Sequence, residues 1–332
     1  MTRCAVVGGG AWGTTLAHVL ALRAHEVTLW AREPDVVAHI NEAHANPRFL
    51  PGARLSERVR ACSDLRVAVA GSAFVVFAAP SHVLRSVVRE AAPVVDTTAN
   101  LVVATKGIER DSLCLMTDVV AQELPGRDVV ALSGPSFAEE VVHGQPTAIV
   151  AASTLAAASA AVQQALSGGN VRVYTNDDVT GVELGGALKN VMAVATGIAE
   201  GMGLGLNSRA ALITRGLAEM TRLGVAAGAR AETFAGLAGM GDLVLTCTGS
   251  LSRNRAVGIE VGKGVPLDQV LAGKESVAEG VVTTGSALAL AARHGVEMPI
   301  ARAVARVLFE GCPAVEAITD LMGRELRPER DR

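Results

Sequence analysis

Aromatic side chains are scarce, with two Trp, one Tyr and six Phe among 332 residues. That scarcity argues against an aromatic-rich β-sandwich. The core must come from Ala, Val, Leu and Ile, and the abundant Ala and Gly favour closely packed helices. Cysteine is sparse and odd in number: Cys4, Cys62, Cys114, Cys247 and Cys312, widely spaced and without a CxxC pair. A disulfide framework or zinc site is not expected, and a reducing cytoplasm is. No charge of one sign dominates, since 30 basic and 33 acidic residues leave a net charge of −3. That balance gives no electrostatic reason to expect nucleic acid or an anionic membrane as a partner. Apolar runs are broken by Gly, Pro or charge before the ~20 residues of a membrane span. The opening MTRCAVVGGG enters a strand at once and lacks the pattern of a signal peptide. The histidines (His18, His25, His39, His44, His82, His143 and His294) are scattered, without HExxH, so no metal is expected. A GxSxG elbow is also missing, which disfavours a serine hydrolase.

The length suits about two domains of roughly 150 residues. In the first half, short β-rich runs alternate with helical patterns. Strands are expected at 4–7, 26–30, 73–78, 101–105, 129–132, 148–151 and 171–174, and helices at 12–23, 81–91 and 111–123. This alternation predicts a parallel, doubly wound α/β sheet. From Asp178 onward the pattern is helical, at 179–200, 208–223, 256–262, 284–294 and 300–310. The fold class is thus a doubly wound, Rossmann-like N-terminal domain over 1–175 and an all-α C-terminal domain over 176–332.

The strand ending at Val7 runs into Gly8-Gly9-Gly10-Ala11-Trp12-Gly13, a GxGxxG pattern between strand and helix. Gly8 permits a tight turn, Gly10 lets a pyrophosphate approach the backbone, and Gly13 lets the helix lie against the strand. The helix start then offers free N–H groups to phosphate. After the second strand comes Ala31-Arg32-Glu33, where an Asp or Glu would be usual for NAD. Arg32 could meet a 2′-phosphate, so NADPH is the first expectation, with Glu33 leaving NADH usable.

Five segments could carry chemistry. Lys106, in Ala104-Thr105-Lys106-Gly107, follows a strand and can reach a substrate anion or carbonyl; alone it would read as a surface lysine. Ser136, in Leu132-Ser133-Gly134-Pro135-Ser136, has capping-box spacing to Glu139 and is expected to cap a helix. Lys189 lies within the apolar run Gly185-Gly186-Ala187-Leu188-Lys189-Asn190-Val191. Burial there would be costly and would lower its pKa, unless it snorkels to solvent. The paired glycines suggest close backbone approach. Asp242 falls on an apparent glycine-flanked loop. Ser252 is a plausible N-cap, which places Arg253 and Asn254 in a helical first turn, a suitable site for a phosphate monoester.

Together these segments closely resemble the bacterial NAD(P)-dependent glycerol-3-phosphate dehydrogenases over nearly the whole chain. The resemblance runs through GGGAWGTTLA at 8–17, NPRFLPG at 46–52, APSH at 79–82, ATKGIE at 104–109, LSGPSFAEE at 132–140 and QPTAIVAA at 145–152. It continues through GGALKNVMAVATGI at 185–198, GLGLNSRAALITRGLAEM at 203–220, GLAGMGDLVLTCTGSLSRNR at 236–255, VAEGVVTTGSA at 277–287 and EMPIARAV at 297–304. Phe49, where the family usually has Tyr, and Ala305, where it often has bulkier residues, are the departures.

The resemblance implies reversible NAD(P)H-dependent reduction of dihydroxyacetone phosphate to sn-glycerol 3-phosphate, which feeds phospholipid synthesis. It implies Lys189 as proton donor, Lys106 in contact with substrate and cofactor, and Asp242 holding Lys189 and a substrate hydroxyl. Gly134, Ser136, Ser252, Arg253 and Asn254 become substrate contacts, and Asn190, beside Lys189, can bind polar ligand groups on the residues alone. Ala11, Trp12, Arg32, Ala138, Val277 and Glu279 become cofactor contacts, with Arg253 reaching cofactor as well. A homodimer through the helical domain is also implied. The rivals are another NADP-dependent hydroxyacid-type dehydrogenase of similar fold and a non-enzymatic NADPH-binding sensor.

Overall fold

The computed structural model describes residues 2–273, 278–326 and 328–329. Its strands are β1 (Arg3–Val7), β2 (Glu26–Trp30), β3 (Ala45–Asn46), β4 (Leu50–Arg54), β5 (Val59–Cys62), β6 (Phe74–Phe77), β7 (Asn100–Val103), β8 (Val129–Ser133), β9 (Thr147–Ala152) and β10 (Val171–Asn176). Eight of them form one sheet in the order β10-β9-β8-β7-β6-β1-β2-β5, and β3 and β4 form a small antiparallel pair. From Cys4 on, β1 reads as an unbroken apolar run because both of its faces are covered. Cys4 and Val6 join Leu16, Leu20 and Leu29 on one side, and Ala5 and Val7 join Phe77, Leu84 and Leu101 on the other.

β1 pairs in parallel with both β2 and β6. The chain winds outward from β1 in one direction and then returns to build the other half. A crevice opens outside the carboxyl ends of the strands at such a reversal. The glycine loop lies at this point.

The expected all-parallel sheet is corrected at one edge. β9 runs antiparallel to β8, and β10 is parallel to β9. The link at 134–146 contains only the short helix Ala138–Val142, so the chain re-enters the sheet at the end it left. A parallel return would need a full crossover. The helix expected at 111–123 starts instead at Met116. Leu113 has φ +60°, and Leu115 bridges to Ile108, so the first residues form a turn. β5 and the β3–β4 pair had no signal long enough to read; Pro51 and Gly52 interrupt β4.

Beyond β10 the described residues contain no strand. The central helix, Val179–Gly201, is buried along almost its whole length. It starts where Asp178 accepts a hydrogen bond from the Gly181 N–H at 2.9 Å. The helices Leu206–Ala226, Arg253–Gly262, Glu279–Arg293 and Pro299–Phe309 surround it. Glycine governs the contact with the sheet: a Cβ on Gly186 would stand 2.6 Å from the Ser133 hydroxyl oxygen. The two halves are also joined by Glu183, whose buried carboxylate accepts from the Thr117 N–H at 3.0 Å and from the Thr117 hydroxyl. Burial pushes that carboxyl up to about 7, against the pull of the Thr117 hydrogen bonds. No single helix among the described residues is long and apolar enough to cross a membrane.

Candidate active site

The dinucleotide cradle follows directly from its three glycines. Gly8 has φ +132°, a conformation that side chains resist. A Cβ on Gly13 would lie 1.9 Å from the Gly8 carbonyl oxygen, so the Ala11–Leu22 helix touches the turn backbone to backbone. A Cβ on Gly10 would meet nothing within 4 Å, which leaves open space at the helix start. That helix has no acidic residue in its first turn and no side-chain cap. Its N–H groups are therefore available to phosphate. Asn46 braces the loop by donating to the Gly9 carbonyl and the Thr14 hydroxyl, each at 2.8 Å. The Trp12 indole N–H is buried without a protein partner among the described residues. Cradle, bare helix start and unpartnered donor together fit a dinucleotide. Ala138 adjoins this helix, its carbonyl accepting from the Thr15 hydroxyl at 3.2 Å. Arg32 follows β2 and is exposed, with Glu33 at 3.1 Å as its ion-pair partner among the described residues.

The carboxyl ends of β7 and β8 meet the central helix beside this cradle. Lys106 donates to Asp242 Oδ2 at 2.7 Å and to the Gly134 carbonyl at 3.0 Å. Lys189 donates to Asp242 Oδ1 at 2.5 Å and to the Thr246 hydroxyl at 2.8 Å. One fully buried carboxylate thus serves two ammonium groups, and the cluster retains one uncompensated positive charge. Burial pushes the Lys189 ammonium down to about 8; the Asp242 charge opposes that shift and the Lys106 charge adds to it. Lys189 does not snorkel.

Two local expectations are corrected. Asp242 is not on a loop: it opens the helix Asp242–Thr248, after a π-helical turn at Leu237–Gly241. Helical spacing places Thr246 one turn beyond it, where the hydroxyl donates back to the Asp242 carbonyl at 2.7 Å. Ser136 is not the N-cap either. The helix starts at Ala138 after Phe137, and the Ser136 hydroxyl donates to the Gly134 carbonyl at 3.0 Å. Gly134 has φ +123°, and the tight turn it makes takes up that hydroxyl.

Ser252 does cap its helix, accepting from the Arg255 N–H at 3.2 Å. Asn254 donates to Asn190 Oδ1 at 2.8 Å and accepts from the Gly280 N–H at 2.8 Å. Arg253 reaches solvent and has no hydrogen bond or ion pair among the described residues. Protein ringing the cleft pulls its pKa below the usual guanidinium value, opposed by the charge of Glu279. Glu279 crosses to the sheet half, accepting from the Ser81 N–H at 3.1 Å and the Ser81 hydroxyl at 2.6 Å. Val277 lies outside the described residues.

The site therefore brings Lys106, Gly134, Ser136, Lys189 and Asp242 together, joins Asn190 to Asn254, and sets Ser252, Arg253 and Glu279 alongside. Thr246 and Ser81 were missed in sequence. The four-residue spacing from Asp242 could have pointed to Thr246, whereas Ser81 carried no local sign.

The model of the NAD-dependent glycerol-3-phosphate dehydrogenase N-terminus matches residues 3–159, and that of the C-terminus matches residues 178–319. The chain belongs to the NAD-dependent glycerol-3-phosphate dehydrogenase family. Among its relatives in that family, it is 54% identical over 331 residues to a glycerol-3-phosphate dehydrogenase [NAD(P)+] of Geobacter sulfurreducens, covering 99% of each chain. A similarly named protein of Nitratidesulfovibrio vulgaris is 49% identical over 98% of this chain and 100% of its own. In structure, the glycerol-3-phosphate dehydrogenase of Coxiella burnetii is similar with a TM-score of 0.93, at 40% identity over 97% of this chain and 99% of that one.

Proposed function

We propose that this chain catalyses the reversible NAD(P)H-dependent reduction of dihydroxyacetone phosphate to sn-glycerol 3-phosphate, with NADPH preferred, and so supplies the glycerophospholipid backbone. The observation that carries this reading is the surplus of positive charge around one buried carboxylate, together with Arg253, which makes no hydrogen bond or ion pair among the described residues and adjoins Asn254, the partner of Asn190. A phosphorylated ketone brings a dianion and, on reduction, a growing negative charge on oxygen. Both need cationic partners in a dry site.

Bound dinucleotide supplies the hydride. The chain supplies position and charge. Lys189 faces the carbonyl oxygen, stabilises the charge that grows there and passes its proton to it. In the reverse direction its free amine takes the proton back. Asp242 and Thr246 hold the Lys189 side chain in one orientation. Lys106 touches both substrate and cofactor, and Gly134, Ser136 and Asn190 complete the wall. Arg253, with Ser252 and Asn254, grips the phosphate, so that remote binding energy orients the carbonyl. Gly8, Gly10, Ala11, Trp12, Gly13, Arg32, Ala138, Val277 and Glu279 hold the cofactor. In this reading residues 1–175 bind dinucleotide, and 176–332 bind substrate and join two copies of the chain. The protein acts in the cytoplasm and requires no metal.

Gly10→Ala is expected to leave the melting temperature unchanged, since its Cβ meets nothing within 4 Å, while the NADPH KM rises about tenfold or more as the pyrophosphate is held off. Gly13→Ala, by contrast, is expected to prevent folding of the loop. Melting curves beside cofactor titrations check both outcomes; an unaltered KM in Gly10→Ala would remove the pyrophosphate from this loop.

The activity itself is tested by loss of reduced-cofactor absorbance with dihydroxyacetone phosphate and with 2-oxo acids, using NADPH and NADH in parallel. Oxidation specific to the phosphorylated ketone is expected; turnover of oxo acids instead would favour a hydroxyacid-type dehydrogenase. Arg32→Ala is expected to lower the NADPH-to-NADH ratio of kcat/KM by about tenfold or more, as loss of a charge-assisted contact to the 2′-phosphate does. An unchanged ratio would mean that Arg32 does not read the 2′ position.

A further inference from the structure

Arg255 closes the Ser252-Arg253-Asn254-Arg255 run, and the reading above gives it no task. Its backbone N–H belongs to the Ser252 cap. Its guanidinium forks onto Glu200 at the end of the central helix, with Nε donating to Oε2 at 2.9 Å and Nη2 to Oε1 at 2.6 Å. Nη1 reaches back to the Gly249 carbonyl at 3.3 Å, across the loop that leads into the Arg253–Gly262 helix. Arg209 supports the same carboxylate, donating to Glu200 Oε2 at 2.6 Å.

The two helices joined by this fork touch without intervening side chains. A Cβ on Gly197 would stand 2.2 Å from the Arg255 carbonyl oxygen, and one on Gly258 would stand 2.3 Å from the Val194 carbonyl oxygen. The next turn repeats the arrangement: a Cβ on Gly201 would lie 2.1 Å from the Ile259 carbonyl oxygen, and one on Gly262 would lie 2.2 Å from that of Ile198. Lys189 stands on one of these helices and Arg253 opens the other. Backbone contact fixes how close the helices lie, and the Arg255 fork fixes the end that carries Arg253. Arg253 makes no hydrogen bond or ion pair among the described residues, so its place depends on the backbone that bears it.

We propose that Arg255 is a positioning residue for substrate selection: its fork on Glu200 sets the separation of Lys189 and Arg253. The helix pair then gauges the span from carbonyl to phosphate and favours a ketone with its phosphate ester on the adjacent carbon. This rests on the roles given above to Lys189 and Arg253. It adds that phosphate recognition is built by a residue that touches no substrate.

The test is a double-mutant cycle of Arg255→Ala and Arg253→Ala, read as kcat/KM for dihydroxyacetone phosphate with NADPH. Arg255→Ala alone is expected to lose about ten- to a hundredfold, with KM raised and kcat lowered, because a displaced anchor misplaces the carbonyl. In the Arg253→Ala background the same change is expected to lose less than about threefold, since the residue it positions is gone. Glu200→Gln preserves shape and is expected to give a smaller loss that is likewise confined to enzyme retaining Arg253. Arg255→Lys is expected to recover only part of the rate, because one ammonium cannot form the fork. Equal losses with and without Arg253, or no loss in Arg255→Ala, would overturn the proposal. Failure of the underlying reading is distinguishable, because the wild-type enzyme would then not oxidise NADPH with the phosphorylated ketone at all.

Discussion

Lys189→Met is expected to lower kcat for reduction of dihydroxyacetone phosphate by about a thousandfold or more while leaving NADPH binding intact. Removing a general acid costs about two to four powers of ten, and removing the charge that faces a developing oxyanion costs a comparable factor. Methionine keeps the stem volume in the buried helix and so separates chemistry from packing. The pH dependence carries a definite sign. Burial holds the Lys189 ammonium at about 8, and reduction needs the protonated form. Its kcat/KM should be level below about 8 and fall about tenfold per unit above it. Oxidation of glycerol 3-phosphate needs the free amine and should fall in the opposite direction, below about 8. Steady-state profiles in both directions check this, and parallel profiles of the same sign would contradict the assignment of Lys189.

Arg253→Ala should produce the other large effect. The guanidinium makes no hydrogen bond or ion pair among the described residues, and Glu279, whose charge acts on it, keeps its hydrogen bonds from Ser81 when the guanidinium is removed. The loss should therefore fall on substrate rather than on folding. Charge-assisted contacts to a phosphate, together with the orientation they impose, predict a drop of about a thousandfold in kcat/KM, divided between a higher KM and a lower kcat. Unphosphorylated dihydroxyacetone, expected to be a poor substrate of the wild type, should change by only a few-fold. A loss confined to KM would mean that phosphate binding does not assist the chemical step. Equal losses for both ketones would mean that Arg253 does not meet the phosphate.

Local pattern made much of this site legible. The GxGxxG loop lies between a strand and a helix at residues 8–13; Gly8 and Gly13 meet the steric demands that their positions suggested, and Gly10 borders open space. Lys189 stood out because a lone ammonium in an apolar helical run needs a partner, and Asp242 is that partner. The resemblance added Glu279, whose bond to Ser81 spans 198 positions of chain and has no local signature. What stayed unread was set by tertiary geometry. The reversal of β9 depends on where the 134–146 link re-enters the sheet, which hydrophobic alternation does not encode. Ser136 had capping spacing, yet the left-handed turn at Gly134 claimed its hydroxyl. Asp242 looked like a loop residue because flanking glycines usually break helices; here they allow a π-helical turn to run into the Asp242–Thr248 helix.

The most direct test of the central claim is quantitative product analysis, with purified protein, dihydroxyacetone phosphate and NADPH, comparing wild type with Lys189→Met. One glycerol 3-phosphate formed per NADPH consumed, and none formed by the variant, is the result predicted for a phosphorylated ketone reduced at a buried lysine. NADPH consumed without glycerol 3-phosphate, or undiminished product from Lys189→Met, would contradict it.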